Sequence, residues 1–82
     1  MIHIETRSRL ARSAIVDKAI RYFGTDGLGL EVQEQSACCV RFADSVGFVE
    51  VTLNSEEGSK RTRVGVIGRE YEPQIKEFVK SL

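Results

Sequence analysis

Few residues of this chain have a type and spacing that could do chemistry. His3 is the one histidine, and Cys38 and Cys39 are the two cysteines. Structural zinc takes about four ligands at spacings such as CxxC or HxxxH, and neither pattern occurs. Nucleophilic catalysis at a cysteine or serine requires a base within reach, and a single histidine near the start of the chain is a poor source of one. Glu56 and Glu57 are paired carboxylates, but they fall in a predicted hairpin loop, where both are expected to stay solvated. Gly27-Leu28-Gly29 superficially resembles a phosphate loop. It leads into strand-like alternation, however, so no helix N-terminus stands behind it. No catalytic residue, metal or cofactor is expected, and enzymatic activity ranks last among the functions considered.

The adjacency of the cysteines has its own consequence. Neighbouring side chains of a strand point to opposite faces, so Cys38 and Cys39 are expected not to bond each other. Cys38 is assigned to the core and Cys39 to a half-exposed position. Without a disulfide framework, an apolar run of about 18 residues or a leader-like start, the expected location is the cytoplasm.

Two groups of arginines are candidates for binding. Arg7, Arg9 and Arg12 crowd the start of a predicted helix, where the macrodipole disfavours positive charge. With His3 they could collect an anion or an acidic partner. The plainer account is that their stems pack on the helix while the charged heads stay solvated. The second group, Arg41, Phe48, Arg61 and Arg63, falls on the outer face of a predicted sheet. An exposed aromatic beside arginines can stack on a base or anchor a protein contact.

The elements that position these residues follow from periodicity. Ser8 to Phe23 reads as a helix with Ser8 as N-cap, an apolar arc of Ile15, Val16, Ala19, Ile20, Tyr22 and Phe23, and Gly24 as a left-handed terminator. Four alternating runs follow, around Leu28–Val32, Cys38–Phe42, Phe48–Leu53 and Arg61–Val66. Their connections are too short for crossover helices, which predicts an antiparallel meander. Glu72-Pro73 opens a second helix with Tyr71, Ile75, Phe78, Val79 and Leu82 on one side. Ile2 and Ile4 mark either a further short strand over Met1–Glu5 or a lead-in to the helix. The expected fold class is α+β: a two-layer sandwich of N-terminal helix, four-stranded antiparallel meander and C-terminal helix, as a single domain over residues 1–82.

Parity constrains the register. Pairing Phe42 with Val49 and Val40 with Val51 sets Arg41 opposite Glu50. Glu50 is then expected opposite or diagonal to Arg63, and one permitted register sets Glu31 opposite Arg41, with a bulge or longer loop in the first hairpin. That row, Glu31, Arg41, Glu50, Arg63, alternates in sign and accounts for its arginines as cross-strand pairs. Arg61 and Phe48 stand outside it.

Bulk composition narrows the function. Twelve basic residues balance twelve acidic ones. A nucleic-acid binder normally carries a basic excess, because phosphate neutralisation drives its affinity. The expectation is therefore a non-catalytic interaction module whose partner is a second copy of itself, as a homodimer, or another protein, with no membrane contact. One alternative is an apolar-ligand carrier with a cavity near Ala11, Ala14, Ala19 and Gly65. The other is weak nucleic-acid binding through the arginines.

Overall fold

Val49, Val51 and Leu53 alternate with Phe48, Glu50 and Thr52, and a strand sends such sets to opposite sides. In the computed structural model, which describes residues 1–55, 58 and 60–82, the apolar set is buried and the other is half-buried. The elements are β1 (Ile2–Ser8), α1 (Arg12–Phe23), β2 (Glu31–Gln35), β3 (Cys39–Ala43), β4 (Phe48–Ser55), β5 (Thr62–Arg69) and α2 (Glu72–Lys80). The class is α+β, with one five-stranded antiparallel sheet in the order β1-β5-β4-β3-β2 and two helices. The expected meander is β2 to β5. Phe42 pairs with Val49, Val40 with Val51 and Arg41 with Glu50, as parity required.

The segment around Ile2 and Ile4 is a full strand, pairing with β5 from Ile2↔Gly68 to Ser8↔Thr62. Ser8 is consequently the end of β1 and not a helix cap. Its Oγ accepts the Leu10 N–H at 3.1 Å, and α1 begins only at Arg12, behind Ala11. Local polarity around Ser8 suits a cap and a strand end equally, and pairing with β5 decides between them. The terminator assignment changes as well. Gly24 is extended, and the left-handed glycine of this connection is Gly29 (φ 87°).

Among the described residues, fourteen buried apolar ones form one cluster, drawn from both helices, the sheet and Leu30 just ahead of β2. Ile15, Val16, Ala19 and Phe23 of α1 join Leu30, Val40, Phe42, Val49, Val51, Leu53, Val64 and Val66, and Ile75 and Phe78 of α2 complete it. The helix α1 packs on β3 and β4, and α2 on β5 and β1. Phe23 is the hub: its ring lies 5.0 Å from those of Tyr22 and Phe78 and 5.6 Å from that of Phe42. Ala11 is exposed, and a Cβ on Gly65 would face Thr52 and His3 on the outer side of the sheet. The small residues named above therefore do not line one shared interior space.

The first strand of the meander departs most from expectation. Leu30 is buried but precedes β2, whereas Leu28 and Val32 are 38% and 39% exposed, and every residue of β2 is exposed. The helices pack over β3, β4, β5 and β1, which leaves the inner face of β2 with little cover, so alternation there does not produce burial. The expected irregularity is a bulge between Val32 and Glu34. It sets Glu34, not Glu31, opposite Arg41, while Glu31 faces Ala43.

Candidate functional site

The outer face of the sheet carries alternate residues of all five strands. Across its middle the register aligns His3, Ile67, Glu50, Arg41 and Glu34. Arg41 Nη1 donates to Glu50 Oε2 at 2.7 Å, and the guanidinium lies 4.6 Å from the centre of the Phe48 ring. Phe48 is half-buried because Arg41 covers it. Its ring supplies a negative face to a cation already held by a carboxylate. Glu50 does not reach toward Arg63: its partner on β5 is Ile67, and Arg63 is opposite Asn54 on one side and Arg7 on the other. Parity places Arg63 on the correct face, but the length of the β4–β5 hairpin moves it two pairs along the strand. The Glu56–Glu57 pair of that hairpin lies outside the described residues.

Signs are unevenly distributed over this face. Its β2 margin carries Glu31 and Glu34, whereas β5 and β1 carry Arg63, Arg69, Arg7 and Glu5. His3 sits on that side too, its Nε2 3.8 Å from Glu5 Oε1. Arg69 and Glu34 belong to this surface but were not singled out by the sequence, because only the bulge and the β4–β5 register, which sets Arg69 opposite Phe48, assign them to it.

One corner gathers arginines that the sequence divided between two groups. Arg7 and Arg63 are direct partners, and Ser8 and Thr62, both buried, form the next pair. Thr62 Oγ1 donates to the Leu10 carbonyl at 3.0 Å, so the two hydroxyls pin the Arg9–Ala11 connection against β5. Arg7, Arg9, Lys18 and Arg61 consequently line one open cleft of about 490 Å³, beside Leu10 and Leu82. Lys18 Nζ donates to the Ser81 carbonyl, and Arg7, Arg61 and Arg63 each take part in further contacts. Arg12 does not join them. As the first residue of α1 it lines a separate groove with Ser13, Gln35 and Ser36. The arginines assigned to one helix start therefore belong to a strand, a connection and a helix.

The cysteines correct two expectations. Cys38 lies in the β2–β3 bend, exposed, and only Cys39 belongs to β3. Opposite-face geometry applies to two residues of one strand and fails across a turn. Their sulfurs are joined in a disulfide.

At the opposite end, Asp44 organises the β3–β4 turn by accepting the Val46 N–H at 2.8 Å and the Gly47 N–H at 2.9 Å. It also accepts the Tyr71 hydroxyl at the start of α2. That hydroxyl, followed by the Gly47 amide, holds the Asp44 carboxyl below its ordinary value, and the same bond raises the Tyr71 phenol. A turn aspartate is legible in sequence, but its tyrosine partner 27 residues away is not.

Among the described residues, no group of three or more His, Cys, Asp or Glu is placed to hold a metal ion, and no helix is long and apolar enough to cross a membrane. No family model, curated protein or solved structure matches the chain.

Proposed function

We propose that this chain is a non-catalytic interaction module that self-associates through the outer face of its sheet. In this reading the two helices cover the inner face as the second layer of a two-layer sandwich, and a second copy covers the outer one. The observation that carries it is the uneven charge of that face. The acidic β2 margin lies at one side and the arginine-bearing β5 and β1 at the other. A two-fold axis running along the strands, in the plane of contact, lays the acidic margin of each copy over the basic side of its partner. Such an isologous contact satisfies both margins at once. Phe48, already stacked under Arg41, and Ile67 supply half-buried apolar area near its centre. The location in this reading remains the cytoplasm.

Sedimentation equilibrium tests this reading. The wild-type chain is expected to show twice the monomer mass, and Glu31→Arg with Glu34→Arg is expected to return it to monomer. Adding Arg69→Glu and Arg63→Glu to that variant should restore the dimer. A wild-type chain that stays monomeric at every concentration overturns the proposal.

The arginine corner supports a second reading, binding of a phosphate-bearing partner such as nucleic acid. Its observation is the convergence of Arg7, Arg9, Lys18 and Arg61 on one cleft. Affinity for a mixed oligonucleotide should fall steeply with salt, and Arg9→Gln should reduce that slope by about one. No shift at low salt removes this reading.

A further inference from the structure

We propose that Cys38 and Cys39 form a two-electron redox site that exchanges with low-molecular-weight thiols, its state expressed at the tip of the β2–β3 hairpin. The first support is that this bond has no evident stabilising role. A disulfide stabilises mainly by restricting the unfolded chain, more so as the closed loop lengthens, and these residues are adjacent. The second is access. Cys38 is exposed in the bend while Cys39 is half-buried in β3, and exposed disulfides are the labile ones. The third is that the backbone around the pair is held independently of the sulfurs. The Ser36 N–H donates to the Cys39 carbonyl at 2.8 Å, and the Leu53 N–H donates to the Cys38 carbonyl at 2.7 Å. Ser36 Oγ lies 3.5 Å from Cys38 Sγ, beside the atom an incoming thiolate would meet. Neither strand needs the bond, so the hairpin persists in both states while the tip changes.

The exchange balances with a thiol such as glutathione as the reductant. A thiolate attacks the exposed Cys38 sulfur, forming a mixed disulfide and expelling the Cys39 thiolate. A second thiolate attacks the external sulfur of that mixed disulfide, which releases the Cys38 thiolate and leaves the small-molecule disulfide. The two protons of the thiols end on the two cysteines, so the chain gains two electrons and two protons. Oxidised glutathione reverses every step. Ser36 and Ala37 of the tip form one wall of the groove whose other wall is Ala11, Arg12 and Ser13. The redox state therefore reaches the start of α1 as well as the hairpin.

Alkylation of the full chain, read by intact mass, tests the inference. After treatment with oxidised glutathione the chain should carry no alkylatable thiol and remain free of interchain bonds. Reduced glutathione should then expose both thiols, with the far-UV circular dichroism unchanged. Amide shifts between the two states should concentrate at Gln35–Cys39 and appear across the groove at Arg12 and Ser13. Cys38→Ser and Cys39→Ser should each abolish the internal disulfide, leaving one thiol that oxidises only as a mixed disulfide with glutathione. Two thiols that persist in oxidised glutathione, or oxidation only to cross-linked dimers, would overturn the proposal. So would unchanged shifts at the tip. These readouts do not depend on self-association through the sheet face.

Discussion

Arg41 and Glu50 face each other across β3 and β4 with their charged atoms 2.7 Å apart, and the same guanidinium rests on the Phe48 ring. Both charged side chains are little more than one-third exposed, so the pair belongs with surface ion pairs and not buried ones. Glu50→Gln should lower stability by roughly 0.5 kcal/mol, within the range of cross-strand pairs. The loss should shrink as salt is added, because exposed charges are screened. Urea midpoints at low and high salt measure both effects.

The Asp44–Tyr71 bond predicts a pH dependence with two limbs. Folding lowers the Asp44 value, so this carboxylate stabilises above its ordinary value of 3.8, and the contribution is lost as pH falls through the lowered one. Folding raises the Tyr71 value, so the phenol stabilises below its ordinary value of 10.0, and that contribution is lost as pH rises through the raised one. The difference in melting temperature between wild type and Tyr71→Phe should be flat between these limits and narrow beyond each. A difference unchanged at both extremes would show that the bond is not formed in solution.

Gly68 lies on the inner side of β5, against α2. A Cβ there would run into Ile75 Cδ1 and stand 2.9 Å from the Phe48 carbonyl oxygen. Gly68→Ala should therefore destabilise by about 1–3 kcal/mol, the usual cost of overpacking. Chemical denaturation reads it directly. The double variant with Ile75→Val should recover part of the loss.

Glu70 joins β5 to α2 with φ 78°, a conformation that costs a side-chain-bearing residue about 1–2 kcal/mol. Glycine removes that cost but loses more freedom on folding. Glu70→Gly should stabilise by about 0.5 kcal/mol, whereas Glu70→Val, branched at Cβ, should destabilise. Thermal melts of the three proteins give the order.

Periodicity by itself determined α2, α1 apart from its start, the strands from Cys39 onward and the β3–β4 register. These are features in which each strand's own alternation meets a neighbour that covers one face. That rule stops at the edges and at the turns. Val32 is apolar and correctly phased yet exposed, because the helices pack over the other four strands and not over β2. Ser8 carries the chemistry of a helix cap, and only its pairing with Thr62 makes it the end of a strand. Cys38 and Cys39 read as opposite faces of one strand until a bend separates them and lets their sulfurs meet. The arginine corner was equally invisible. Arg7 and Arg61 are far apart in the chain, and the β1–β5 ladder, a contact between the first strand and the last, brings them to one cleft. Local pattern decides which way a side chain points along its own segment; the order in which segments pair decides what it points at.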